Sequence, residues 1–127
     1  MSEHPNAAMY RDVMEKFNAG DTNAMVDSLA DDVVWWQIGS AEPLMGKAAL
    51  MESMAGLGEM PITVDLTDVV ANDDMVVGLV TATVGSGPEA FSYRTAEVAW
   101  LKDGKVAERR AYSDDTEAIN NFFNQFS

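Results

Sequence analysis

The sequence predicts an α+β domain in which helices cover one face of a curved antiparallel sheet, and three observations predict it. Apolar residues recur at three and four over the first thirty positions, which is the spacing of helices buried along one face. From Ile62 to Tyr112 the pattern becomes runs of branched and aromatic residues separated by turn residues, the signature of consecutive strands. A last helical face follows, and segregated helices and strands of this kind pack as two layers. The 127 residues show no break in composition, repeat or linker, so residues 1–127 are read as one domain. A chain of that size buries roughly two thirds of its unfolded surface in a single core.

The elements follow in order. Met9, Tyr10, Val13, Met14 and Phe17 mark one face of a helix over Asn6 to Ala19, which Gly20 ends. Asp21 is placed to cap a shorter helix with Met25, Val26 and Leu29 on its inner face. Val33 to Ile38 reads as a strand covered on both faces and stopped by Gly39. Trp35 and Gln37 share one strand face; Trp36 and Ile38 share the other. A short return strand over Glu42 to Met45 leads into a helix over Lys47 to Ala55, closed by Gly56 and Gly58. Strands are then predicted over Ile62–Val70, Met75–Val84, Ala90–Leu101 and Val106–Tyr112. Their turns are Asn72-Asp73-Asp74, Gly85-Ser86-Gly87-Pro88 and Asp103-Gly104. Asp114 or Asp115 caps a final helix presenting Ile119, Phe122, Phe123 and Phe126.

Composition excludes several functions. The chain has no cysteine, which removes disulfides, thiolate metal sites and cysteine nucleophiles. Its 21 acids against 8 Lys and Arg give a formal charge of −13, which repels nucleic acid and anionic membrane surfaces. No apolar run approaches the roughly 18 residues of a membrane span. Residues 1–8 carry an acid and no basic stretch before an apolar segment, so the cytoplasm is the expected compartment. His4 is the only histidine and lies near the terminus, leaving no Ser-His or His-metal constellation. The pairs Asp31-Asp32, Asp73-Asp74 and Asp114-Asp115 sit at corners, where aspartate caps helices and supports turns. No metal or cofactor is predicted.

Gly20-Asp21 through Leu29-Ala30-Asp31-Asp32-Val33-Val34-Trp35, followed by Pro43-Leu44-Met45-Gly46-Lys47, resembles the opening of the nuclear transport factor 2-like superfamily. Glu97-Val98-Ala99-Trp100-Leu101-Lys102-Asp103-Gly104-Lys105-Val106, running to Arg110-Ala111-Tyr112, is similar to the closing hairpin of its SnoaL-like branch. The resemblance implies a cone-shaped α+β barrel around an apolar pocket, a small hydrophobic ligand, and a homodimer formed across the outer sheet face. It does not fix a chemistry, because the superfamily includes ketosteroid isomerases, epoxide hydrolases, polyketide cyclases, dehydratases and non-catalytic modules.

Tested against those chemistries, the residues depart from two. The isomerase base position falls on Gln37, and an amide moves no proton at neutral pH. The oxyanion-hole tyrosine position falls on Val13; Tyr10 is about one helical turn away and a poor substitute. The protonated-acid position falls on Glu97, which keeps a carboxyl. The last-strand aspartate of the epoxide hydrolases falls on Ala111, and the strand over Met75–Thr81 offers no acid, so that mechanism is not expected.

A two-residue Asp103-Gly104 turn sets Glu97 opposite Arg110; a three-residue loop with a bulge sets it opposite Arg109. The family alignment places Arg109, Ala111 and Ser113 on the pocket side. The bland alternative is a cross-strand ion pair on the outer face. The resulting site has Glu97 and Arg109 as catalytic candidates, with Trp35, Gln37, Phe17, Met14, Met54 and Ser113 as ligand contacts. Two readings follow: a metal-free acid–base enzyme acting on a hydrophobic carbonyl compound, or a non-catalytic ligand-binding or dimerisation module.

Overall fold

Pro5 opens the first helix, α1 (Pro5–Asn18), one residue earlier than the periodicity implies, because His4 supplies the cap: its Nδ1 accepts from the Asn6 N–H at 3.1 Å. The computed structural model describes residues 3–38, 40–55 and 61–124. The expected turn residues Gly39, Gly56 and Gly58, residue Phe126, and the side chain of Phe123 lie outside that description. Gly20, at φ +92°, breaks α1. Asp21 then accepts from the Asn23 N–H at 3.1 Å ahead of α2 (Asn23–Asp27).

The strand β1 spans Leu29–Trp35, so it starts four residues before the predicted position and ends three residues sooner. The cause is pairing with the last strand: the Val106 N–H donates to Ser28 O, drawing Leu29 into the ladder. The short β2 (Leu44–Met45) pairs antiparallel with β1, and α3 (Lys47–Ala55) follows Gly46. A meander comes next: β3 (Ile62–Ala71), β4 (Met75–Val84), β5 (Phe91–Lys102) and β6 (Lys105–Ser113). A 3₁₀ turn at Gly87–Glu89 interrupts it before β5. The helix α4 (Thr116–Asn124) is capped by Asp115, whose carboxylate accepts from the Ala118 N–H.

The sheet order is β2-β1-β6-β5-β4-β3. One pairing departs from the expected antiparallel pattern, because β1 runs parallel to β6 and the sheet is mixed. With three hairpin reversals after α3, the chain comes back alongside β1 in the same direction. Asp103 (φ 54°) and Gly104 (φ 78°) form the two-residue turn between Lys102 and Lys105. Ala107 is then extra in β6, since Leu101 pairs with Val106 but Trp100 pairs with Glu108. That bulge corrects both predicted registers, for Glu97 lies opposite Ala111.

The inner face carries Val76, Val80, Ala82 and Val84 of β4 with Thr95 and Ala99 of β5, all buried. Helix α1 lies across this face and is tied at both ends. Asn6 donates to Asn72 O at 3.0 Å; Asn18 donates to Val64 O at 2.6 Å and accepts from the Val64 N–H at 2.8 Å. The second pair satisfies a backbone N–H and C=O on edge strand β3 that another chain would otherwise seek. The core therefore sits between α1, α3 and the sheet, around Tyr10, Leu29, Val33, Leu50 and Ala99. Two of the acid pairs sit at corners, where Asp73 faces His4 and Asp114 faces Arg94, but Asp31 and Asp32 lie within β1, drawn into the strand by its pairing with β6, and Asp31 faces Lys47.

Candidate functional site

Strand alternation puts Tyr93, Thr95, Glu97 and Ala99 of β5 on one face, and the shifted register puts Arg109 of β6 on the same face. Arg109 is directly across from Ala99, so it meets Glu97 on the diagonal, within reach of a long side chain. Glu97 Oε1 accepts from Arg109 Nε at 3.0 Å and also from Arg109 Nη2. Glu97 Oε2 accepts from the Tyr10 hydroxyl at 3.2 Å. Arg109 Nη1 donates to the Trp36 carbonyl at 3.1 Å, and its guanidinium lies 4.2 Å from the Trp35 ring centre.

This pair is inside. The Glu97 and Arg109 side chains are 13% and 15% exposed, which rejects the outer-face ion pair and its near-zero energy. Burial pushes the Tyr10 phenol well above its ordinary range, the neighbouring Glu97 pushes it further, and Arg109 opposes. Tyr93, on the same face, is raised by burial first and then by Glu97. Tyr10 is therefore a phenol at any physiological pH, with its proton directed at Glu97. Both carboxylate oxygens of Glu97 accept, so the site presents an acceptor backed by a guanidinium.

Against this cluster lies a partly open cavity of about 40 Å³. Its apolar wall includes Met9, Met14, Met25 and Trp35, and its polar wall is Tyr10, Ser28, Glu97 and Arg109. That volume holds a water or two, whereas small-molecule pockets run to roughly 300–1,000 Å³.

The structure brings together four of the predicted residues, Glu97, Arg109, Trp35 and Met14. Met54 packs on the core from α3, and Phe17 is half-buried one turn beyond Met14 on α1; neither is among the described residues lining the cavity. Gln37 has left the strand and is exposed, donating to Ser53 Oγ of α3 at 3.1 Å. Ser113, at the far end of β6, donates to Arg94 O at 2.8 Å. Tyr10, expected about one helical turn away from the site, lines the cavity and reaches Glu97. Its signal was present in the sequence: it shares the helix face of Val13, Met14 and Phe17. Met25 and Ser28 also line the cavity without having been singled out as contacts. Among the described residues no three acids or histidines gather as a metal site, and no helix is long and apolar enough to cross a membrane.

A helix-covered, curved six-stranded sheet enclosing a tyrosine–carboxylate–guanidinium cluster defines the class of protein. The sequence profile of the SnoaL-like domain matches residues 10–109, and the chain belongs to that family, within the nuclear transport factor 2-like superfamily. No curated protein matches it in sequence. Among solved structures it is similar to Bal32a from a soil-derived mobile gene cassette, at 22% identity and TM-score 0.77, covering 92% of this chain and 95% of that one. It is similar to TerC, co-crystallised with polyporic acid, at 18% identity and TM-score 0.76, covering 95% and 99%. An LEH-like epoxide hydrolase from M. tuberculosis matches at 18% identity and TM-score 0.73, covering 93% and 89%. At these identities the likeness is one of fold.

Proposed function

We propose that the protein binds a small hydrophobic, carbonyl-bearing molecule in the cavity beneath α1 and acts on it by metal-free acid–base chemistry of the isomerase, cyclase or dehydratase kind. The observation that carries this reading is the buried Tyr10–Glu97–Arg109 cluster set against an otherwise apolar wall. A carboxylate with a free lone pair accepts a proton from carbon or oxygen. The guanidinium at its side steadies the negative charge that develops on the substrate oxygen. Trp35 supplies a flat apolar surface, and Gln37 at the end of β1 is the candidate to orient a distal polar group. Phe17, Met54 and Ser113 remain candidate contacts for a ligand larger than the cavity.

A ligand of that size fits only if the wall moves. Met9, Met14 and Met25 are unbranched and adaptable, the side chains best suited to open such a space. Titration of tryptophan fluorescence with progesterone and with polyporic acid tests the binding step, with Trp35→Phe identifying the reporter. For whichever compound is converted, Glu97→Gln abolishes turnover; an unchanged rate in that variant removes Glu97 from the mechanism.

The small volume of the cavity favours a second reading, a module used for assembly and not for catalysis. The outer sheet face exposes Val70, Leu79 and Tyr112, at 62%, 47% and 53%, beside Val77, Ala96 and Val98. A second copy of the chain covers this face in the proposed homodimer. Light scattering then gives twice the mass of one chain, and Leu79→Lys returns it to one.

A further inference from the structure

Strand β4 reads MVVGLVTATV, and its one glycine, Gly78, stands in the middle of branched residues. A glycine inside a strand weakens it, so its presence calls for a reason. Backbone conformation is not that reason: Gly78 lacks the positive φ of Gly20, Gly46, Gly85, Gly87 and Gly104. Nor is a bulge, because Val77, Gly78 and Leu79 pair in step with Val98, Glu97 and Ala96.

Space is the reason. A Cβ placed on Gly78 would lie 2.6 Å from Tyr10 Cε1 and 3.2 Å from both Cζ and the hydroxyl oxygen. Carbon atoms do not approach that closely, and the other described glycines meet nothing nearer than 3.6 Å. The Tyr10 ring is buried on a helix tied to the sheet at Asn6 and Asn18, so it can make way only by swinging off β4 toward the cavity it lines. Gly78 is also the direct cross-strand partner of Glu97, so the slot it leaves ends beside the carboxylate.

We infer that Gly78 is a positioning residue: the missing side chain lets the Tyr10 ring lie against β4 and places its hydroxyl on Glu97. Any side chain there lifts the ring and breaks the Tyr10 hydrogen bond. The consequence for turnover rests on the proposed function; the consequence for Tyr10 does not.

Gly78→Ala, Tyr10→Leu and the double variant test this by urea unfolding. ¹⁹F NMR of 3-fluorotyrosine-labelled protein adds a second readout, with the Tyr10 resonance assigned through Tyr10→Phe. Gly78→Ala lowers the urea midpoint when Tyr10 is present and leaves it unchanged or raised in the Tyr10→Leu background. It also shifts the Tyr10 resonance and leaves that of Tyr112, on the outer face, in place. An equal loss in both backgrounds, or an unmoved Tyr10 resonance, overturns the inference. If Gly78→Ala does not fold alone, a folded double variant supports the inference, and a double variant that fails where Tyr10→Leu folds overturns it. Failure of every form to bind progesterone or polyporic acid counts against the proposed function and leaves this cycle standing.

Discussion

Replacing Arg109 by methionine strands the carboxylate of Glu97. In the native fold Arg109 provides two of the three hydrogen bonds made to that carboxylate, the third coming from Tyr10. Both partners are about six-sevenths buried, so water replaces little of what is lost. Breaking one side of such a pair costs about 3–5 kcal/mol, whereas replacing both partners by apolar groups of similar volume is close to neutral. Arg109→Met and Glu97→Leu are each expected to lose about 3 kcal/mol or more by that reasoning. The double variant is expected to lose only about 2 kcal/mol, for the Tyr10 hydroxyl left without its acceptor and the Trp36 carbonyl left without the Arg109 donor. The assay is urea unfolding of all four forms by circular dichroism. With a slope of about 1–3 kcal/mol per molar urea, each single variant shifts the midpoint by about 1–3 M. Single losses below about 1 kcal/mol that simply add would mean an exposed pair, and the burial argument would be wrong.

Three further outcomes follow from the geometry. The folded state holds the Tyr10 proton above the ordinary value of 10.0, so the unfolded chain releases it first and stability falls as pH rises beyond that value. Each such proton steepens the fall by about 1.4 kcal/mol per pH unit, and Tyr10→Phe removes one proton's share from pH-dependent unfolding curves. Asn18→Ala leaves the Val64 N–H and C=O without their side-chain partner, with an expected loss of about 1–2 kcal/mol in thermal unfolding. Asp115→Ala removes the cap of α4 and costs about 0.5–2 kcal/mol; an unchanged melting temperature contradicts the capping assignment.

Periodicity and turn chemistry make most of the fold legible. Strand β4 has its predicted ends because Asn72-Asp73-Asp74 and Gly85 bracket an unbroken branched run. The segment from Leu29 to Asp32 has the local pattern of a helix end and a corner, because its strand character comes from pairing with β6, which lies far along the chain. The same limit governs the site. The family resemblance puts Arg109 on the side of Glu97, whereas the strand pattern alone leaves Arg109 and Arg110 both open; the choice depends on the single extra residue Ala107, and a bulge leaves no mark in composition. Tyr10 was visible on the right helix face; its contact with Glu97 required knowing how α1 crosses the sheet and that Gly78 makes room for the ring. Gln37 followed strand parity in the sequence, but β1 ends at Trp35, and parity means nothing beyond a strand's end.

The central claim is that the Tyr10–Glu97–Arg109 cluster receives the polar group of a ligand. The most direct test is ¹H–¹⁵N NMR of the Arg109 Nε–H during titration with progesterone and polyporic acid. Its resonance is assigned through Arg109→Lys. Saturable movement of that resonance, absent in Glu97→Gln, is the predicted result. Binding that leaves Arg109 unmoved and perturbs only outer-face residues such as Leu79 and Tyr112 would contradict it.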